Sequence, residues 1–185
     1  NTLMSLTDEI LGIFHARGAD EYFGESVSIT EHALQAAYFA RIAGAPPALV
    51  VAALLHDIGH LVEEVPSDIA DWTTDAHHER VGGRWLAARF PVEVSDPVRL
   101  HVPAKRYLLA TDAEYFSKLS PASVVTLKLQ GGPMAAHEVA QFETEQFHPQ
   151  ALRVRRWDDQ GKVKGLKTPG LEDYRSLIEG VSKAG

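Results

Sequence analysis

Cysteine is absent from the chain. Its absence excludes disulfides, thiolate catalysis, and zinc or iron–sulfur sites built on sulfur. It also fits a reducing, cytoplasmic compartment. Long apolar runs are missing as well. The longest, Ala48 to Leu55, falls far short of the roughly 20 residues that cross a bilayer, so no membrane span is expected. The first residues lack the basic-then-apolar form of a secretory signal. A basic excess is also lacking: 18 Lys and Arg stand against 25 Asp and Glu, a formal charge of −7, which argues against nucleic-acid binding. Sustained apolar–polar alternation, internal repeats and low-complexity tracts are not found, so neither a sheet nor a repeat array is expected.

The chain does have enough apolar side chain for a core. Hydrophobic residues make up 45% and charged residues 23% of 185, the balance of one soluble globular domain spanning residues 1–185. Helix signals recur along it. Ser28-Ile29-Thr30-Glu31 has the form of a capping box. The helix it opens is predicted to run to about Ala43, burying Ile29, Leu34, Ala37, Tyr38 and Ile42, with Gly44 as its stop. Pro46 and Pro47 open a short helix to about Asp57 that is apolar nearly all round, hence central. Further helix starts are predicted at Asp96-Pro97, at Ser120-Pro121 and at a second box, Thr111-Asp112-Ala113-Glu114. A helix over His77 to Ala88 carries Gly82 and Gly83, which mark close packing. Another runs from Leu171 toward Val181. The segments Leu61 to Thr74 and His148 to Thr168 read as loops, with a short hairpin joining Val154 and Val163. The expected fold is an all-α bundle with long functional loops.

Nine histidines are present, a high number. The adjacent pair His56-Asp57 ends the apolar helix, where burial is costly without a compensating cation or hydrogen bonds. His32 lies in the first turn of an amphipathic helix. His78 opens a helix with His77 as its rival, His101 follows apolar Val98 and Leu100, and Asp158 follows Trp157. Taken singly, each has a plain structural reading: a core histidine, a helix start, a turn aspartate. Taken together, six candidates with a carboxylate able to bridge suit two metals held by imidazole and carboxylate: iron, manganese, nickel or zinc. His15, His137 and His148 have no such context and are read as surface residues.

The order His, His-Asp, His, His, Asp resembles the HD-domain superfamily. Longer runs sharpen the match: Tyr22-Phe23-Gly24-Glu25, Glu31-His32-Ala33-Leu34-Gln35, Leu54 to His60, His78 to Gly82, His101 to Leu108, Leu129 to Met134, and Arg156-Trp157-Asp158. Over about residues 20 to 175 the chain resembles the branch of mixed-valent di-iron oxygenases that cleave 1-hydroxyphosphonates. The resemblance implies one iron on His32, His56, Asp57 and Asp158, and a second on His78 and His101 with Asp57 bridging. It implies Tyr22 as a gate over the dioxygen position and Glu25 beside the substrate's nitrogen. It assigns Lys105, His60 and Ser123 to the phosphonate, with Arg155 or Arg156 organising the region around Asp158. Without the resemblance, Lys105 and Arg106 are an ordinary solvated pair.

The implied cofactors are two iron ions, Fe(II)/Fe(III), with dioxygen as co-substrate. The implied reaction removes hydrogen from C1 and oxidatively breaks the C–P bond. Tyr22, Phe23 and Glu25, with Asp68, Asp71, Trp72 and Asp75, mix aromatic and acidic side chains in the way that suits a quaternary ammonium. The expected substrate is therefore (R)-1-hydroxy-2-(trimethylammonio)ethylphosphonate, giving glycine betaine and phosphate. The primary amine, 2-amino-1-hydroxyethylphosphonate giving glycine, is the alternative. A metal-dependent HD phosphohydrolase and a catalytically idle HD-fold scaffold are the readings from other classes. Small organophosphonates, and neither nucleic acid nor membrane, are the expected partners.

Overall fold

Local capping chemistry fixes where several of the helices start. The computed structural model describes residues 4–62 and 78–183. Through them run α1 (Leu6–Arg17), α2 (Ile29–Ile42), α3 (Pro47–Leu55), α4 (Gly59–Val62), α5 (His78–Ala87), α6 (Val92–Arg99), α7 (His101–Thr111), α8 (Pro121–Leu129), α9 (Ala136–Glu143), α10 (His148–Gln160) and α11 (Arg175–Val181). Single 3-10 turns cover Tyr115–Lys118 and Leu171–Tyr174. No strand occurs among the described residues; extended pairing is limited to one bridge, Glu21 to Ser28. No helix is long and apolar enough to cross a membrane among them. The all-α expectation therefore holds.

The Ser28 box forms as the sequence indicates. The Ser28 hydroxyl accepts from Glu31 N at 3.0 Å, and Glu31 accepts from Ser28 N at 2.9 Å. Ser120 likewise caps α8 through Ser123 N at 3.2 Å, with Pro121 in its first turn. The second predicted box does not form. Thr111 is the last residue of α7 and its hydroxyl turns back to Tyr107 O at 2.9 Å, while Asp112 accepts from Glu114 N. Nor does Asp96 open a helix. Pro97 lies inside α6, and the Asp96 carboxylate pairs with Arg99 at 3.2 Å.

The core is built around α3, whose residues Leu49 to Leu55 are all buried. It packs against α2, α6, α10 and α11. Each of its leucine and valine side chains contributes roughly 1.5–3 kcal/mol when fully buried. The facing stripe of α2 is Ile29, Ala33, Ala36, Ala37 and Ala40, small enough to let the two helices approach closely. Leu34 and Tyr38 are only half-buried, and Ile42 is 64% exposed, so the predicted apolar face was rotated from the true one. A second cluster, Leu100, Ala104, Phe142 and Ala151, joins α7, α9 and α10.

The largest departure from expectation is α10. His148 to Thr168 reads as a loop, yet its first thirteen residues form a helix, and no hairpin joins Val154 to Val163. Its buried positions are Ala151, Val154, Arg155, Trp157 and Asp158. The spacing 151, 154, 155, 158 is that of one helix face, but two members of the face are charged. Apolar periodicity cannot register a face whose buried side chains are an ion pair.

Close packing at glycine fixes α4 against α5. A Cβ on Gly59 would lie 2.0 Å from His78 O and 2.9 Å from Gly82 N. Gly83 meets Arg99 of α6, a Cβ there standing 3.0 Å from Arg99 Cβ. The reading of Gly82 and Gly83 as close-packing positions therefore holds.

Candidate metal centre

Six side chains from four helices and the turn after α3 converge. His32 lies in the first turn of α2. His56 follows the last residue of α3, with Asp57 next. His78 opens α5, His101 opens α7, and Asp158 is near the end of α10. All six are buried. One ligand atom from each of His32, His56, Asp57 and Asp158 lies within 4.8 Å of the others, and the same holds for Asp57, His78 and His101. Asp57 belongs to both groups. Its Oδ2 is 3.4 Å from His32 Nε2 and 3.2 Å from His56 Nε2, while Oδ1 is 2.9 Å from His78 Nε2 and 3.6 Å from His101 Nε2.

Backbone carbonyls orient three of the rings. His32 Nδ1 meets Gly161 O at 2.8 Å, His56 Nδ1 meets Ala53 O at 2.7 Å, and His101 Nδ1 meets Val98 O at 2.6 Å. A carbonyl oxygen only accepts, so each Nδ1 carries a proton and Nε2 is the atom each ring turns inward, where it can bind a metal in place of a proton. His32 Nε2 and His56 Nε2 then face one another at 3.0 Å, with Asp158 Oδ1 3.0 Å from the first. Asp57 Oδ2 and Asp158 Oδ1 have no hydrogen-bond partner although buried. Imidazole nitrogens and carboxylate oxygens gathered this closely call for positive charge among them, from a metal or from protons on the rings. Nitrogen and oxygen donors in two groups sharing one carboxylate fit a pair of first-row metals such as iron. The same electrostatics act on the protons. Burial disfavours charge on His56, yet Asp57 and Asp158 raise its pKa well above the ordinary value. Burial likewise opposes ionisation of Asp57, but His56 and the other facing imidazoles hold it well below the carboxylate range.

Arg155 fixes the far side of Asp158. Its Nη1 donates to Asp158 Oδ2 at 2.8 Å, its Nε donates to the Tyr115 hydroxyl at 3.1 Å, and its Nη2 reaches Asp159. Arg156 instead pairs with Asp112 at 3.1 Å, which decides between the two arginines. Asp158 is thus a helix residue locked on both sides, not a turn residue.

The tyrosine loop lies over the first group. Tyr22 stacks on His32 with ring centres 4.1 Å apart and planes 17° from parallel. Burial and the charges of Asp57 and Asp158 push its phenol pKa well above the usual value. The turn that presents it has Phe23 at φ 35° and Gly24 at φ 82°, closed by Glu25 N to Tyr22 O at 2.7 Å. Phe23 packs on His60 at 4.5 Å, and His60 stacks on His78 at 3.8 Å. His60 Nε2 is 3.9 Å from Asp57 Oδ1.

Lys105 is buried one turn after His101, on the face the spacing implies. Its ammonium donates to Ser123 O at 2.7 Å, Thr126 Oγ1 at 3.1 Å and Gln130 Oε1 at 2.9 Å. Burial, then the charge of Arg155, lowers its pKa to about 7. The Ser123 hydroxyl accepts from Arg155 Nη2 at 3.4 Å. Glu25 accepts from the Ser120 hydroxyl at 2.5 Å and faces Lys162 Nζ at 3.7 Å.

Asp159, Tyr115 and Lys162 were not singled out in the sequence. Lys162 lies two residues past the end of α10, where no helical spacing relates it to Asp158. His15 and His137 are exposed as expected. His148 is half-buried against Phe142, with Nδ1 on Glu145 O at 2.7 Å. His77, Asp68, Asp71, Trp72 and Asp75 lie outside the described residues.

Comparison with known proteins places the chain in a family. The family model described as HD domain matches residues 29–158, from the start of α2 to the last of the six side chains. The chain is 45% identical over 175 residues to the [1-hydroxy-2-(trimethylamino)ethyl]phosphonate dioxygenase (glycine-betaine-forming) of Leisingera caerulea, covering 95% of this chain and 89% of that one. It is 48% identical over 159 residues to the hydroxymethylphosphonate dioxygenase of Gimesia maris, covering 85% of this chain and 79% of that one. It is 33% identical over 171 residues to protein L432 of Acanthamoeba polyphaga mimivirus, covering 91% of this chain and 78% of that one.

Proposed function

The chain belongs to the HD-domain family, in the branch that includes the phosphonate dioxygenases, and we propose that it cleaves the C–P bond of a 1-hydroxyphosphonate with a di-iron centre and dioxygen. The preferred substrate is (R)-1-hydroxy-2-(trimethylammonio)ethylphosphonate, giving glycine betaine and phosphate. The observation that carries this reading is the pair of buried ligand groups sharing Asp57. His32, His56, Asp57 and Asp158 would hold one iron, and Asp57, His78 and His101 the other. When bound, the iron pair with dioxygen supplies the oxidising power that removes hydrogen from C1 and breaks the C–P bond. The stoichiometry is one hydroxyphosphonate and one dioxygen to one carboxylic acid and one phosphate.

The chain's own side chains would bind, orient and exclude water. The charges of Arg155 and Lys162 both act on Lys105, and together the three would offset the phosphonate dianion. Ser123, at the junction of Lys105 and Arg155, would orient one phosphonate oxygen. His60, stacked on His78, stands at the edge of the second group and would donate to the substrate. Tyr22 covers His32 and would keep water and dioxygen from the first group until substrate moves it. Fixed dipoles and charges of this kind stabilise a developing charge without reorganising.

One observation favours a second substrate reading. Glu25, expected beside the substrate's nitrogen, already faces Lys162 at 3.7 Å and accepts from Ser120. A carboxylate so neutralised offers less to a trimethylammonium group. Hydroxymethylphosphonate, which has no nitrogen and would give formate, is the substrate this favours. The primary amine, giving glycine, asks more of Glu25 than the trimethyl compound, because its three N–H donors need acceptors. Metal analysis with electron paramagnetic resonance tests the class. The expected result is two irons per chain and a mixed-valent signal that changes when a 1-hydroxyphosphonate is added. A protein with no coupled iron pair, active on phosphate esters, would be a phosphohydrolase instead.

A further inference from the structure

Tyr115, Arg155 and Asp159 form a closed ring beside the metal centre. The Tyr115 hydroxyl donates to Asp159 Oδ2 and accepts from Arg155 Nε, and Arg155 Nη2 donates to Asp159 Oδ1. Tyr115 is 1% exposed and Arg155 5% exposed, so water competes little for these bonds. The ring pins the guanidinium plane through Nε and Nη2. Only Nη1 is left to reach Asp158, and it does so at Oδ2. The other Asp158 oxygen, Oδ1, is then the one turned to His32 Nε2 at 3.0 Å and His56 Nε2 at 3.5 Å.

A carboxylate has two equivalent oxygens and binds a metal through one or both. Which it does depends on what holds the second oxygen. Here that oxygen belongs to Arg155, and the orientation of Arg155 belongs to two residues that touch no ligand group themselves. Tyr115 comes from the 3-10 turn after α7, while Asp159 and Arg155 lie on α10, so the ring also ties these two segments. Arg155 Nη2 reaches Ser123 on α8 at 3.4 Å, so the clamp and the candidate phosphonate site share one guanidinium.

We propose that Tyr115 and Asp159 are positioning residues, which hold Arg155 so that Asp158 presents a single oxygen to the metal. The proposal rests on the reading that His32, His56, Asp57 and Asp158 hold iron. Loss of either residue lets the guanidinium tilt and frees Asp158 Oδ2 to join Oδ1 on the metal. The expected change is in coordination, with protein and iron both retained.

The test uses the iron-loaded full chain with Tyr115→Phe and Asp159→Asn. Tyr115→Phe keeps the ring's shape and removes only the hydroxyl, so it remains decisive if Asp159→Asn fails to fold. In the wild type two irons are expected. In each variant that folds, iron content should be kept while the resonance signal of the pair shifts. kcat should fall about tenfold or more, with KM within about twofold. The double variant should lose less than the product of the two single losses, because Tyr115 and Asp159 both act through Arg155. Wild-type signal and kcat in both single variants would overturn the proposal, even if melting temperature dropped, because the ring would then be structural only. A wild type that takes up no iron pair overturns the metal reading itself, a result distinct from intact iron with unaltered variants.

Discussion

A single aspartate joins the two halves of the centre. Asp57 turns one oxygen to His32 and His56 and the other to His78 and His101. No other carboxylate belongs to both ligand groups among the described residues. Asp57→Ala is therefore expected to abolish pairing of the metals and to lower turnover by orders of magnitude while helical content survives. Iron analysis with circular dichroism checks this, and two coupled irons at normal turnover would defeat the assignment. Lys105 carries a pH signature. Its pKa in the free protein is about 7, so at pH 8 it is mostly neutral. A bound dianion favours the charged form and raises that pKa. Binding at pH 8 should thus take up a proton, and affinity should fall as pH rises through 7. Calorimetry in buffers of different ionisation heat measures the uptake. In Lys105→Met the uptake should vanish and affinity should drop about ten- to a hundred-fold, the value of a charge-assisted hydrogen bond of roughly 1.5–3 kcal/mol.

Between helices, tolerances are set by glycine and by buried charge. At Gly59, a Cβ would stand 2.0 Å from the carbonyl of His78, itself a candidate ligand. Gly59→Ala should push α5 away at a cost of about 1–3 kcal/mol. It should also weaken the group of Asp57, His78 and His101 while leaving the other intact. Gly82→Ala, with its nearest heavy atom at 3.2 Å, should be milder. Thermal melting and iron content of the two variants separate these effects. The elements also show what the sequence made legible. α2 and α3 are announced by a capping box, a double proline and an apolar run, because their start and burial signals are local. α10 is not, because its inward face carries Arg155 and Asp158. Their burial is compensated by each other and by Asp159 and Tyr115, which come together only in the folded chain. Thr111 and Asp96 misled for the opposite reason: each has the composition of a cap, but the hydroxyl of one and the carboxylate of the other find nearer partners.

Over the whole molecule, folding brings together candidate ligands spread from His32 to Asp158, on four helices and the turn after α3. The sequence grouped them as candidates for two metals, but only the resemblance divided them into two ligand sets, since the distance between α2 and α10 is set by tertiary packing. Gln35 shows how that packing is held. Its side chain bonds both Val163 O at 2.7 Å and Val163 N at 2.9 Å, tying the end of α10 to α2 beside His32. A centre assembled this way should be stabilised by its metal. Iron(II) at 100 times its dissociation constant would add about 2.7 kcal/mol per site. For a chain of this size that raises the melting temperature by roughly 5–11 °C. Anaerobic melting with and without iron measures the shift, and no shift would argue against a built metal site. The central claim, oxidative cleavage at C1, is tested most directly by product analysis of the iron-loaded protein with (R)-1-hydroxy-2-(trimethylammonio)ethylphosphonate under air and under argon. Equal amounts of glycine betaine and phosphate under air, and neither under argon, are the expected result. Phosphate released equally without dioxygen would contradict it.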